Sequence, residues 1–268
     1  MLVPMFHGES LRFGIAPAVL TDDTQAHLDR FCAAVSRSTG LNVTGSHTDT
    51  YEGLVAALEN RTIDIAWLPP MVALAGIRRG LMLPLAIPVR HGSATFRAAL
   101  FARCGSPIRG AGELKGCRAA WVDRESASGY AVIRAALKLR GVDLEIAFAE
   151  QRFLRSHHAV VAAVLEGRAD VGATYVCYGT RGSVRAAGWS DVAEDVQFHI
   201  VAESDPIPND LLAMGIGTSV LQAAALQRAL MDDAPGNEAA EEARSLFRAE
   251  GFAAPDPEHL APLIALLE

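Results

Sequence analysis

Short apolar runs alternate with segments of helical period, and they do so in the same order at two places in this sequence. Leu11-Arg-Phe-Gly-Ile15 reads as a strand. Residues 22–39 follow as an amphipathic helix, with Leu28, Phe31, Cys32 and Val35 on one face and Gly40 as its stop. Residues 41–44 read as a second strand, 51–58 as a helix and 63–67 as a third strand. That order predicts a mostly parallel sheet covered by helices. The same grammar returns as strand 117–122, a Ser126-Ala-Ser-Gly129 turn, helix 130–140 closed by Gly141, strand 144–148, helix 156–165 and strand 170–175. The 268 residues leave room for two domains at roughly 150 residues each.

Two segments look like copies. Leu54-Val-Ala-Ala-Leu-Glu59 leads through Arg61 into Asp64-Ile-Ala-Trp67, and Val160-Val-Ala-Ala-Val-Leu-Glu166 leads through Arg168 into Asp170-Val-Gly-Ala-Thr174. Either any helix-to-strand corner favours such residues, or the chain has two similar lobes. The extended, proline-bearing stretches Leu83-Pro-Leu-Ala-Ile-Pro-Val-Arg-His-Gly92 and Ser204-Asp-Pro-Ile-Pro-Asn-Asp210 flank the second unit. Two crossings imply one lobe inserted in another: residues 1–88 and 204–268 form the first, 89–203 the second, and everything from Thr218 onward reads as helix. Lobes joined by two linkers form a cleft that closes by hinge motion.

Composition removes several classes. Lys and Arg number 24 against 31 Asp and Glu, a net charge of −7, and a chain this acidic is a poor general binder of nucleic acid, whose phosphates need a basic face. The most apolar stretches, 68–77 and 81–89, are broken by Pro, Gly or Arg and fall short of the roughly 20 apolar residues that span a bilayer. The first ten residues carry no basic n-region and no apolar core of useful length. The expected location is therefore the cytoplasm, or the periplasm if a signal peptide was removed. Cys32, Cys104, Cys117 and Cys177 show no CxxC spacing and read as reduced thiols, with Cys104 and Cys117 the one pair placed to bridge.

Open α/β sheets bind ligands beyond the carboxyl ends of their strands. There, Ser126-Ala-Ser-Gly-Tyr130 follows a strand and opens a helix. Unpaired N–H groups and the positive end of the helix dipole favour an anion at such a start, and two hydroxyls add donors. Plain N-capping by Ser126 or Ser128 is the alternative. Ser156-His157-His158 opens the next helix, where a histidine either points into the same cleft or simply faces solvent. No His-x-x-x-His or HExxH spacing supports a metal, and none of the GxSxG, P-loop or GxGxxG patterns occurs. Neither a metal nor a cofactor is expected. Tyr51 opens the corresponding helix of the first lobe, and Trp67 reads as core.

Tyr51-x-x-Leu-x-x-Ala-Leu58, Ile63-Asp-Ile-Ala-Trp-Leu-Pro-Pro70, Leu114-Lys-Gly116, Ser126-Ala-Ser-Gly129, Ser156-His157 with Ala162-Ala-Val164, Gly167-x-Ala-Asp-Val-Gly172 and Pro206-Ile-Pro-Asn-Asp210 occur in one order. Together they resemble the phosphate/phosphite/phosphonate substrate-binding proteins of ABC transporters, from about Leu11 to the C-terminus. The resemblance implies an α/β, two-lobed periplasmic-binding-protein type II fold. It also implies capture of a small oxyanion between the lobes without catalysis, with an ABC permease or a signalling protein as partner. It carries Ser126, Ser128 and Gly129, with Tyr130 beside them, onto the oxyanion cradle, and His157 onto a contact with the same group. Tyr51 becomes an aromatic cleft residue, and Asp210 an acid suited to a ligand amine. Phe96 stands where family members often carry tyrosine, so a hydroxyl contact is lost there. Tyr175 lies with Cys177 in a segment without a matching second acid. These departures count against an aminoalkylphosphonate and leave phosphonate, phosphite, phosphate or another oxyanion open. The alternatives are an enzyme of the same fold acting on a small organic acid, and a cytoplasmic sensor that reports occupancy to a partner.

Overall fold

The computed structural model describes residues 10–16, 24–124, 126–179, 182–192, 198–256, 260 and 264. The leader reading of the first nine residues, and Asp22 at the expected start of the first helix, lie outside them. The chain divides into two compact units, Met1–Ala94 with Pro208–Glu268, and Thr95–Ile207. The first unit begins with β1 (Ser10–Ile15), α1 (Thr24–Thr39), β2 (Asn42–His47), α2 (Tyr51–Glu59), β3 (Ile65–Leu68), α3 (Pro70–Arg78) and β4 (Met82–Val89). The second holds β5 (Thr95–Arg103), β6 (Cys117–Trp121), a π-turn (Ala127–Ala131) running into α4 (Val132–Leu139), β7 (Phe148–Phe153), α5 (His157–Leu165), β8 (Val171–Tyr178), β9 (Val184–Ala187) and β10 (Phe198–Glu203). After the short β11 (Ile207–Pro208), the first unit is completed by β12 (Leu211–Gly215), α6 (Val220–Met231), α7 (Glu238–Phe247) and β13 (Gly251–Ala253).

Each unit is built on one sheet. Its order is β13-β4-β12-β3-β1-β2 in the first unit and β10-β5-β8-β6-β7 in the second, with β9 on β8. The expected parallel trios are present as β3-β1-β2 and β8-β6-β7. The remaining pairs are antiparallel, so the sheets are mixed and not mostly parallel. The added strands arrive by crossings and returns of the chain, which a local apolar pattern does not orient. Two other expectations change. Residues 144–147 form a turn, because Asp143 accepts the Glu145 and Ala147 N–H groups, and the strand starts at Phe148. The C-terminal region is not all helix: α7 ends at Arg248 in the left-handed region (φ 48°), and β13 then pairs with β4.

The two similar segments are one structural repeat. Arg12 at β1 presents its backbone N–H and its guanidinium to Asp64, with bonds of 2.8, 2.9 and 2.8 Å. Arg118 at β6 does the same with Asp170, at 2.7, 3.1 and 2.7 Å. Each Asp N–H returns a bond to the carbonyl of its arginine at 2.8 Å. At the same constant offset β2 answers to β7, α2 to α5, and the Thr50 cap to the Ser156 cap. Arg118 holds the Asp170 carboxyl below its usual range. The contribution of that carboxylate is therefore present above its ordinary pKa of 3.8 and is lost as pH falls through the depressed value. Asp170→Asn is expected to lower the thermal midpoint at pH 7 and to flatten the decline below pH 4 measured by circular dichroism. An unchanged acid limb would contradict this.

Helix faces close each core. In the first unit Phe247 meets Phe13, Phe31, Trp67 and Phe252, at ring distances of 5.1–5.9 Å, so Trp67, read from sequence as core, is partly buried and packs against the core. In the second, Phe101 packs with Trp189 and Phe198 on one face. Trp121 packs with Tyr130 and Phe148. All four cysteines are free thiols, Cys104 exposed and the others buried. Burial pushes Cys32 up to about 12.

Candidate functional site

In the second unit β6 ends at Trp121, and the chain turns sharply at Asp123. The Ser126 N–H donates to Asp123 Oδ1 at 2.7 Å, and Ser126 Oγ accepts the Gly129 N–H at 3.1 Å. Ala131 N–H bonds back to the Ser126 carbonyl at 2.9 Å, which gives the first turn its wide, five-residue spacing. Gly129 is required there: a Cβ would sit 2.3 Å from Val122 Cγ2. The two serines therefore separate. Ser126 is spent on capping, the plain role. Ser128 is buried at 6% exposure, and its hydroxyl has no hydrogen-bond partner among the described residues.

α5 begins at His157 because Ser156 caps it, accepting the Ala159 N–H at 3.1 Å. His157 Nδ1 lies 2.9 Å from the hydroxyl of Thr174, which is fully buried on β8. Nε2 is left for another partner. The ring stands edge-on to Tyr175, 5.4 Å between centroids. The turn at Ser128 also packs on β8, and the Asp123 charge reaches His157, so the two helix starts share one edge of the unit. Burial lowers the imidazole pKa from its ordinary 6.5, against the opposing pull of Asp123. A ring with a lowered folded pKa stabilises the fold fully above pH 6.5, and that stabilisation is lost as pH falls through the depressed value. Thermal midpoints measured from pH 7 to pH 5 should decline, and His157→Gln should remove part of that slope. Superimposable profiles would show that the ring does not titrate in this way.

Other expected residues have different surroundings. Tyr130 is engaged by Trp121, Phe153 and two guanidiniums. Tyr175 is raised by burial, then by Cys177 and Asp191. Phe96 lies on β5 beside Arg97 and brings a ring without a donor. In the first unit Tyr51 opens α2 at the position that His157 holds in α5. Burial raises its phenol, and so does the nearby Asp210 carboxylate. Asp210 itself is raised by burial, against Arg90, whose Nη2 donates to it at 2.9 Å. Sequence reading missed Thr174 and Arg90. Thr174 lies inside a run read as buried strand, and Arg90 lies 120 residues from its partner, so neither leaves a local signal.

Each of the two α/β units thus carries polar side chains at its helix starts, Tyr51 in the first and Ser128 and His157 in the second. The family of ABC-transporter phosphonate periplasmic substrate-binding proteins matches residues 13–260, and the chain belongs to it. Among solved structures, XAC2383 from Xanthomonas citri bound to ATP is 21% identical, with 97% of each chain covered and a TM-score of 0.73. PhnD1 from Prochlorococcus marinus (MIT 9301) in complex with methylphosphonate is 17% identical, covering 96% of this chain and 97% of that one, with a TM-score of 0.61. A binding-protein component of an ABC phosphonate transporter from Pseudomonas aeruginosa is 21% identical, covering 97% and 85%, with a TM-score of 0.61. The fold is that of the type II periplasmic binding proteins. The family acts in the periplasm, with a small-molecule ligand and an ABC permease. Among the described residues no helix is long and apolar enough to cross a membrane.

Proposed function

We propose that this chain captures a small oxyanion — a phosphonate, phosphite or phosphate — on the Ser126–Gly129 turn and His157, and releases it unchanged. The observation that carries the reading is the Ser128 hydroxyl, without a partner among the described residues on a residue only 6% exposed, on the same edge of the unit as an imidazole whose Nδ1 is already held by Thr174. A ring held before the ligand arrives loses little on ordering. The same arrangement counts against a serine enzyme. In a triad a carboxylate orients the histidine, whereas here a neutral hydroxyl does. In the first unit the Asp210 carboxylate is already paired with Arg90, which counts against a ligand that brings an amine.

Calorimetric titration of the purified protein with methylphosphonate, phosphite and phosphate tests the binding. Phosphorus NMR of the mixture tests the chemistry. Saturable binding with an unchanged spectrum is expected. Turnover of any of the three would establish an enzyme, and no binding to any would remove the oxyanion reading. Role follows from place. Recovery from the periplasmic fraction of native cells supports delivery to a permease, and recovery from the cytoplasm supports a sensor.

A further inference from the structure

The turn that offers Ser128 continues into a group of packed aromatic rings and guanidiniums that a single oxyanion leaves unused. Tyr130 packs on Trp121 and Phe153, at 5.6 and 5.1 Å between centroids. Arg124 lies over the Phe153 ring at 5.0 Å, and Arg134 over the Tyr130 ring at 4.9 Å. A guanidinium drawn to a ring by cation–π attraction spends no N–H donor on that contact. Arg134 spends one donor on Gln151 Oε1 at 3.0 Å. Arg124 reaches only the Tyr130 hydroxyl, at 3.4 Å, and pairs with no carboxylate among the described residues.

Arg155 brings a third guanidinium. It is exposed and has no side-chain partner among the described residues. Its backbone is left-handed, at φ 68°, a conformation that non-glycine residues adopt at a cost and that gathers at functional sites. Its N–H bonds to the Val122 carbonyl at 2.8 Å, which ties it to the strand end from which the Ser126 turn departs. Arg124 therefore stands two residues before one helix cap and Arg155 one residue before the other. Arg12, Arg90 and Arg118 are each matched to a carboxylate, whereas Arg124 and Arg155 keep guanidinium donors beside the oxyanion turn, with Asp123 and Glu125 as the neighbouring acids in sequence.

We infer that this edge of the second unit takes two adjacent phosphoryl groups, one at Ser128 and His157 and the next at Arg124 and Arg155. The ligand class is then a diphosphate, inorganic or esterified. Guanidinium forks match phosphoryl oxygens in pairs, which a lone phosphate in the turn does not exploit. The inference rests on the oxyanion reading above.

The test is calorimetric titration of the full chain with methylphosphonate, phosphate, pyrophosphate, ADP and adenosine, for wild type and for the Arg124→Gln, Arg155→Gln double variant. Pyrophosphate is expected to bind wild type at least tenfold more tightly than phosphate. The double variant should bind the two alike, with phosphate affinity and thermal midpoint as in wild type. ADP at or above pyrophosphate supports the esterified source, and ADP well below it the inorganic one. Adenosine binding by itself would overturn the inference in favour of a stacking site. Equal wild-type affinities for phosphate and pyrophosphate, or a preference that survives in the double variant, would also overturn it and leave the oxyanion reading standing. Binding of none of the five ligands would overturn both.

Discussion

Replacing Ser128 and His157 together by alanine is expected to weaken oxyanion binding by about a hundredfold or more without unfolding the protein. Hydrogen bonds to a charged group contribute about 1.5–3 kcal/mol each. About 1.4 kcal/mol is a factor of ten in affinity, so two such bonds are worth more than the hundredfold taken here, which leaves room for non-additivity. The fold should survive for different reasons at the two positions. The Ser128 hydroxyl bonds to no described residue, so its loss strands nothing. Loss of the imidazole strands the Thr174 hydroxyl, at a cost of about 1–3 kcal/mol. A third variant separates contact from orientation. Thr174→Val keeps the imidazole but frees its ring, and should lower affinity less than His157→Ala does. Titration calorimetry reads all three. Wild-type affinity in the double variant would remove both residues from the site.

The largest loss of stability is expected from Phe247→Ala. Phe247 closes α7 onto the first unit's sheet at 1% exposure, and it joins four other aromatic rings. Truncating a buried Phe costs about 3–5 kcal/mol, and this site collapses poorly because its neighbours are rigid rings. At about 2–4 °C per kcal/mol for a chain of this size, the thermal midpoint should fall by roughly 10 °C. Leu139→Ala is the matched control. Leu139 is 75% exposed, and its truncation should stay within about 0.5 kcal/mol of wild type. A midpoint for Phe247→Ala within 2 °C of wild type, by a criterion of roughly 1 kcal/mol, would mean that the cluster does not carry this unit.

What was legible in the sequence is local. Apolar spacing marked α1, α2 and α5, and Tyr51 and Ser156 marked where the last two begin, because a helix start is set by a cap that acts within three residues. Strand direction was not legible. Leu211–Gly215 is a short apolar run like any other, and nothing in it says that it enters antiparallel between β3 and β4. The proline-bearing stretch read as extended linker is in large part β4 itself, with a register shift in β12 where Pro84 pairs. At the candidate site the residue types were visible and their availability was not. Only the bond from Gly129 to Ser126 shows that Ser126 is occupied as a cap. Only a contact 17 residues away shows that Thr174 fixes the imidazole.

The order of strands in the first unit governs how the chain is made. β12 lies between β3 and β4, yet the ribosome delivers it only after the whole of Thr95–Ile207. The second unit is continuous in sequence and has every strand of its sheet once residue 207 has emerged. The first must wait with β1 to β4 synthesised and their central partner missing, exposing two strand edges that invite mispairing. The inserted unit is therefore the first to mature on a nascent chain, and the unit that holds β1 is the last to close.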